Sequence, residues 1–314
     1  MATYNGAQYI EEQLQSFVDQ TRQPDEVVVC DDGSTDATLE VVENFKESAP
    51  FDFFIYRNEK NLGFIKNFEK AISLCSGDVI FLSDQDDVWF ENKIDIVERE
   101  FKNSSAMVVI NDQVITDSNL KESGATKLDN ARRLGYSESW FITGCCTAFR
   151  SGWVDLICPI PVEIGSHDIW INRLADMLDL RKIIFTPLQF YRRHETNASE
   201  SEVSDFRKIS RFKLLRTYGL GDATCGWKVK INRINLYSLR LREKSEIFTA
   251  LVGEERLAWA LKSLELERNA LSRRVEIVGL PRIVRWWPVL NFWAKGGYAQ
   301  LSGLQSALKD IIRP

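Results

Sequence analysis

The sequence has 314 residues, 44% of them hydrophobic, so it can bury a sizeable core in two domains or in one large domain with an appendage. It shows no run of eighteen apolar residues, no basic-plus-apolar leader and, among six cysteines, no C-x-x-C spacing; a cytoplasmic protein with reduced, buried thiols is expected, with neither a spanning helix nor a zinc site. The net charge of -5 hides a split, since residues 1–205 hold 19 basic and 36 acidic side chains and residues 206–314 hold 21 and 9. An acidic body with a basic tail implies different partners for the two parts.

In chain order, Asn5-Gly6 marks a turn, and Tyr9 to Gln20 has helical spacing with Ile10, Leu14, Phe17 and Val18 on one face. Glu26 to Cys30 reads as a short buried strand closed by Asp31-Asp32-Gly33-Ser34, followed by a helix to about Lys46 and a strand from Phe51 to Arg57. A helix over Ile65–Cys75 is broken by Ser76-Gly77 before the strand Asp78–Leu82. Further on, the spacing predicts a strand over Met107–Asn111, a β-prone stretch over Ser139–Arg150, a helix over Ile169–Leu180 and a strand over Lys182–Thr186 ending at Pro187. Strands alternating with helices point to an α/β domain with a mainly parallel central sheet, whose ligands collect at the carboxyl ends of the strands. Beyond Ser204 the pattern changes to long, charged, helix-period segments, which places a domain boundary near 205: an α/β domain over 1–205 and a helical extension over 206–314.

Two acidic clusters follow predicted strands. Asp31-Asp32-Gly33-Ser34 serves equally well as an ordinary turn; its match to the D-x-D-G-T of haloacid dehalogenase phosphatases is poor, because Cys30 stands where the nucleophile would be. In Phe81–Phe90 (FLSDQDDVWF) an apolar run releases Asp84, Asp86 and Asp87 within four residues, then returns to Val88, Trp89 and Phe90. Carboxylates this close repel one another unless something positive neutralises them. A divalent cation held by one or two carboxylates plus the phosphates of a nucleotide diphosphate answers that need. Asp87 also reads simply as part of a solvated acidic loop.

At this point the residues carry a resemblance. The segments MATYNG (Met1–Gly6), DDGS (Asp31–Ser34), NLG (Asn61–Gly63) followed by Asn67, and SDQDDVW (Ser83–Trp89) occur in the order seen in family 2 glycosyltransferases. Gly144, HDIW (His167–Trp170) and YRRH (Tyr191–His194) continue the pattern, which is most similar to the rhamnosyltransferase-like branch that builds bacterial surface polysaccharides. The resemblance implies a GT-A nucleotide-binding sandwich and an inverting, metal-dependent enzyme using Mg²⁺ or Mn²⁺. It also implies a dTDP- or UDP-linked donor, with rhamnose as the sugar, and a glycan acceptor carried on a lipid. By position, Tyr4 and Asp32 would contact the nucleoside, Gly63 and Asn67 would line the nucleotide site, and Asp84 would approach the ribose. Asp86 would be the metal ligand of the D-x-D motif. Relatives carry an apolar strand in the middle of the sheet before the A-T-Y-N-G segment, and this sequence starts at that strand's last residue.

Transfer to a hydroxyl needs a group that takes its proton. The resemblance assigns this to Asp168, although Ser166 and Asp168 are also good helix-capping residues. His167 and Gly144 would shape the acceptor pocket. Trp170 would stack on a sugar or belong to the core. His194 would be a second metal ligand or a diphosphate contact, and Arg192 would complement diphosphate charge or stand exposed. An inactive GT-A scaffold that only binds sugar nucleotides or partner transferases is the alternative from another class. A nucleotidyltransferase would need a Gly-rich phosphate loop that Asn5-Gly6-Ala7 does not supply.

The tail opens with Arg207, Lys208, Arg211, Lys213 and Arg216, and holds Trp227, Trp259, Trp286, Trp287 and Trp293. Cations mixed with interfacial aromatics predict peripheral contact with anionic lipid on the inner face of the cell membrane. Packing on the acidic body is the plainer reading, and no nucleic-acid partner is expected.

Overall fold

The valine-rich run after Asp25 forms the middle strand of a three-stranded parallel sheet made of β1 (Ala2–Thr3), β2 (Glu26–Asp31) and β3 (Asp52–Arg57). Alternation along β2 decides what covers each face. Val27 and Val29 join the cluster of Ile10, Leu14 and Phe17 from α1 (Ile10–Val18) and Val42 from α2 (Thr38–Lys46). Val28 and Cys30 meet Ala71 of α3 (Phe64–Leu74) on the other side. The computed structural model describes residues 1–194, 224–299, 301 and 303–313. The expected boundary near 205 and the basic run Arg207–Arg216 lie outside the described residues. The chain divides into two compact units, Met1–Ile209 and Ser210–Pro314.

The first unit carries a second sheet of six strands: β4 (Val79–Phe81), β5 (Val88–Trp89), β6 (Val108–Thr116), β7 (Glu122–Thr126), β8 (Thr147–Arg150) and β9 (Arg181–Arg192), in the order β4-β8-β6-β9-β5, with β7 on β6. Only β6 and β9 run parallel here; the other pairings are antiparallel, so the unit as a whole is mixed α/β. Three helices cover this sheet. In α4 (Lys93–Asn103), Val97 and Phe101 pack with Val109 and Ala148. In α5 (Lys127–Leu134), Leu128 meets Ile110 and Tyr191. In α7 (His167–Met177), which follows the short α6 (Val154–Ile157), Trp170, Ile171 and Leu174 are fully buried.

Two expectations change. Of the β-prone stretch 139–150, only Thr147–Arg150 is strand, and the residues before it form 3-10 turns at Glu138–Trp140 and Gly144–Cys146. Strand β9 does not stop at Pro187. The ladder to β6 slips in register around Asp112, the partner of Pro187, and such an irregularity tolerates a residue without an N–H.

The first strand is two residues long. Ala2 N also donates to Ser83 O at 3.4 Å, which seats β1 between β2 and the chain leaving β4. A cavity of about 180 Å³ extends beneath Met1 between these strands, bordered by Val28, Ile80, Trp89 and Ile94. The Met1 ammonium donates to Val28 O at 2.8 Å, and burial lowers its pKa.

The second unit consists, among the described residues, of helices α8 (Thr224–Glu243), α9 (Ser245–Val252), α10 (Glu254–Val278), α11 (Arg282–Ala294) and α12 (Gly303–Ile312). Ile277, Val289, Tyr298 and Ala307 form a core at one end. Beside it Arg274 donates two hydrogen bonds, 2.6 and 2.7 Å, to the fully buried Asp310, which also accepts from the Tyr298 hydroxyl at 3.0 Å. No helix among the described residues is long and apolar enough to cross a membrane. Breaking one half of a buried, bidentate ion pair leaves an uncompensated charge, at a cost of about 3–5 kcal/mol. Asp310→Ala is therefore expected to lower the unfolding free energy, obtained from urea titrations followed by helical circular dichroism, by an amount of that size. Arg274→Met combined with Asp310→Leu should recover most of the loss.

Candidate functional site

The loop after β1 and the loop after β4 are joined by one side chain. Gln85 accepts from Tyr4 N at 2.9 Å and donates to Tyr4 O at 3.0 Å, so the middle residue of the D-x-D segment pairs with the backbone of the first loop as a strand would. A Cβ at Gly6 would lie 2.3 Å from Gln85, which is why this position has none. The Tyr4 ring stays half exposed at the rim. Asn5, Gly6 and Ala7 donate their N–H groups to Ser34, Thr38 and Asp36, fixing the first loop on the turn that follows β2.

That turn is built by its own carboxylates. Asp31, fully buried, accepts from Gly33 N, Ser34 N and the hydroxyls of Thr3 and Ser34. Asp32, 3% exposed, accepts from Asn58 Nδ2 at 2.8 Å, Leu62 N at 2.7 Å and Gly63 N at 2.9 Å. Three of the roughly four acceptor positions of a carboxylate are thus taken, and Asp32 holds the 61–63 turn against the strand ends. Gly63 sits at φ 79°, a left-handed conformation costly for other residues, where it starts α3. Asn67 is buried with both ends of its amide engaged, donating to Cys30 O at 2.8 Å and accepting from Asn58 at 2.9 Å. It ties α3 to the strand end and does not line an open site.

The three aspartates after β4 point to different places. Asp84 is partly exposed, and its carboxyl is pushed up to about 7, first by burial and then by the charges of Asp86 and Asp168. Asp86 Oδ2 lies 2.8 Å from His194 Nε2, which joins the D-x-D loop to the residues that follow β9. Asp87 is fully buried, contrary to a solvated loop: it accepts from Gln189 Nε2 at 2.8 Å and from Arg192 N at 3.3 Å, and burial raises its pKa well above the usual carboxylate range. Lys93, also buried, hydrogen bonds Gln189 Oε1 and Cys145 O and lies over the Trp89 ring at 3.9 Å.

Arg192 likewise turns inward, where an exposed residue or a diphosphate contact was expected. At 2% exposure it donates to Asp86 O at 2.9 Å, Ser118 O at 2.8 Å and Glu12 Oε2 at 2.6 Å. Its guanidinium lies 4.6 Å from the Tyr9 ring centroid, and that ring lies 4.9 Å from the His194 ring. It therefore fixes the backbone that presents Asp86.

Asp168 stands in the first turn of α7, partly exposed. Its Oδ1 accepts from Ile169 N at 2.7 Å and from the Ser166 hydroxyl, while Oδ2 has no hydrogen-bond partner among the described residues. A carboxylate anchored by one oxygen and open at the other is arranged to accept a proton from a bound molecule. Beside it His167 stacks on Phe68 at 4.0 Å, and neither ring nitrogen has a hydrogen-bond partner among the described residues; burial lowers its pKa. A Cβ on Gly144 would come within 3.1 Å of His167 Nε2 and 3.5 Å of Asp168 Cβ, so this glycine lets the 144–146 turn lie against His167 and Asp168. Trp170 is core: it is fully buried and donates to Ile157 O at 2.8 Å, so it does not offer a face to a sugar.

Among the described residues, two sets of donors suit a cation. Asp86 and His194 form one. Asp84, Asp87 and Cys145 form another, with ligand atoms within 4.8 Å of one another. The second set is the weaker, because a hydrogen bond with Cys146 and then burial hold the Cys145 thiol protonated well above its ordinary range. The negative charge that crowds Asp84 fits a nearby divalent cation, which would relieve it. Reading the sequence alone missed Gln85, Lys93 and Gln189. All three are polar residues whose neighbours in sequence gave no sign that they would be buried or clamped.

The protein-family model described as glycosyl transferase family 2 matches residues 1–157. A dTDP-rhamnosyl transferase of Shigella flexneri, RfbG, is 30% identical over 235 residues, covering 69% of this chain and 79% of that protein. An abequosyltransferase of Salmonella typhimurium, RfbV, is 30% identical over 122 residues, with only 36% of its length matched. Among solved structures, S. aureus TarS 1-349 in complex with UDP-GlcNAc superposes with a TM-score of 0.53 at 16% identity, covering 99% of this chain and 88% of that one. That likeness speaks to the fold, which is GT-A. With half the chain matched by the family model and most of a named transferase aligned, the chain belongs to glycosyl transferase family 2.

Proposed function

We propose that this glycosyltransferase moves a sugar from a nucleotide-diphosphate donor to a hydroxyl of a growing surface glycan, with inversion at the anomeric carbon. The reading is carried by an arrangement: Asp86 Oδ2 lies 2.8 Å from His194 Nε2 as a cation-holding pair, and Asp168, anchored through Oδ1 alone, lies close enough for its charge to act on Asp84 two residues before Asp86. Asp86 and His194 would hold Mg²⁺ or Mn²⁺, which when bound supplies positive charge to the donor's diphosphate as it leaves. The exposed Tyr4 ring and the 61–63 turn held by Asp32 form the nucleoside end, and Asp84 faces the ribose. The resemblance to a dTDP-rhamnosyl transferase supports a dTDP-linked rhamnose donor.

Asp168 Oδ2 takes the proton of the acceptor hydroxyl. The acceptor oxygen forms its bond to the anomeric carbon while the bond from that carbon to the diphosphate oxygen breaks, and the nucleoside diphosphate leaves with the electron pair. Anchoring Oδ1 on Ile169 N keeps the carboxylate in place while its other oxygen changes protonation.

The direct test is turnover: a panel of dTDP-, UDP- and GDP-sugars, with Mn²⁺ and with chelator, should show metal-dependent transfer or donor hydrolysis. No turnover on any donor would sink the proposal. Asp168→Asn should lower turnover by about 10²–10⁴-fold while the thermal shift on nucleoside diphosphate stays as in the natural chain. Asp86→Ala should remove the Mn²⁺-dependent part of that shift. His167 gives a pH prediction. Its folded pKa lies below the ordinary 6.5, so under that pH the unfolded chain binds a proton the folded one refuses, and stability falls. Relative to the natural chain, His167→Phe should gain urea resistance as the pH drops from about 7 to about 5.

A further inference from the structure

Helix α11 is apolar on both sides. Val289 and Phe292 pack inward on Ile277, Tyr298 and Ala307. The opposite stripe, Ile283, Trp287 and Leu290, follows i, i+4, i+7 spacing and faces solvent, flanked by Trp286 and Trp293. Ile283 is 87% exposed, and Trp286 and Trp287 are 57% and 59% exposed. Helix α12 repeats the arrangement, with Ser306, Ala307 and Asp310 inward and Leu304, Leu308 and Ile312, each over half exposed, outward. A helix that is apolar all round normally has both sides covered, and large exposed apolar faces mark a surface that meets something else.

Charge decides what that is. Residues 279–313 carry Arg282, Lys295 and Lys309 at the surface, with Arg285 and Arg313 buried, against one acid, Asp310, which is buried and paired with Arg274. No unpaired acidic group remains in this stretch to repel an anionic surface. Tryptophan favours the boundary between an apolar phase and water, where its ring is shielded and its N–H stays in the polar layer. We propose that the outward faces of α11 and α12 dock on a membrane surface rich in anionic lipid, the tryptophans entering the headgroup boundary and Arg282, Lys295 and Lys309 meeting lipid phosphates. The proposal is independent of the sugar chemistry, because it is tested without any donor or acceptor.

The full chain is mixed with phosphatidylcholine vesicles, or with vesicles in which roughly a third of the lipid is phosphatidylglycerol, and sedimented. Binding to the anionic vesicles at low salt is expected, falling as salt rises. W286S/W287S should weaken it by about tenfold or more without shifting the thermal melt or the elution volume. K295E/K309E should remove the preference for anionic over neutral lipid. Four results would overturn the proposal: no binding to anionic vesicles at low salt; equal binding by W286S/W287S; a native dimer that this variant turns into a monomer, which would make the face a contact between copies; or tryptophans shielded from acrylamide before lipid is added, which would mean the chain itself covers the face.

Discussion

Three aspartates in four residues can occupy one loop only because each is aimed at a different neighbour. Asp87 goes into the core to meet Gln189, Asp86 goes to His194, and Asp84 is left partly exposed, within reach of the charge of Asp168. The separation relies on positive or donating groups inserted between like charges: the Arg192 guanidinium on the Asp86 backbone, its N–H on Asp87, and Gln85 holding the loop to Tyr4. Without these, the repulsion and desolvation of the carboxylates would favour an open, hydrated loop. The acidic site and the strand that ends in Arg192 are therefore one structural element, although a hundred residues of sequence separate them.

The order of strands and helices could be read from the sequence because apolar periodicity reports directly on the faces a segment buries. Ile10, Leu14 and Phe17 were placed on the inward side of α1 for that reason, and the structure buries all three. The same logic is blind to polar residues that go inside. Asp87, Lys93 and Gln189 look like surface residues in one dimension and become buried partners in three. Arg192 illustrates the limit. A cation beside a predicted metal ligand suggests a phosphate contact, yet its acceptors Glu12, Asp86 and Ser118 come from three separate segments, and only the fold brings them together. Of the two readings of Trp170, sugar platform and core, the structure takes the second, as is usual for a large aromatic in a helical pattern. The continuation of β9 past Pro187 depends on a register slip in a neighbouring strand, which no local pattern in 181–192 encodes.

The two units solve the burial of charge differently. In the first, acids are distributed so that a site remains electronegative. In the second, the excess is basic, and its one acid near the C-terminus is consumed inside the fold by Arg274 and Tyr298. That interior pair sets α12 against α10, and the arrangement leaves the tryptophan side of α11 outward. Acidity where a nucleotide would sit and basicity where lipid would sit thus follow from separate local choices.

The contact between Gly6 and Gln85 has an evolutionary consequence. A methyl group at position 6 would have to displace the Gln85 amide from its two hydrogen bonds to Tyr4, so the first loop and the D-x-D loop are fitted to each other. A chimera that took its opening loop from one relative and its acidic loop from another would have to rebuild the Tyr4–Gln85 pairing, so the two loops should be exchanged together as a single cassette.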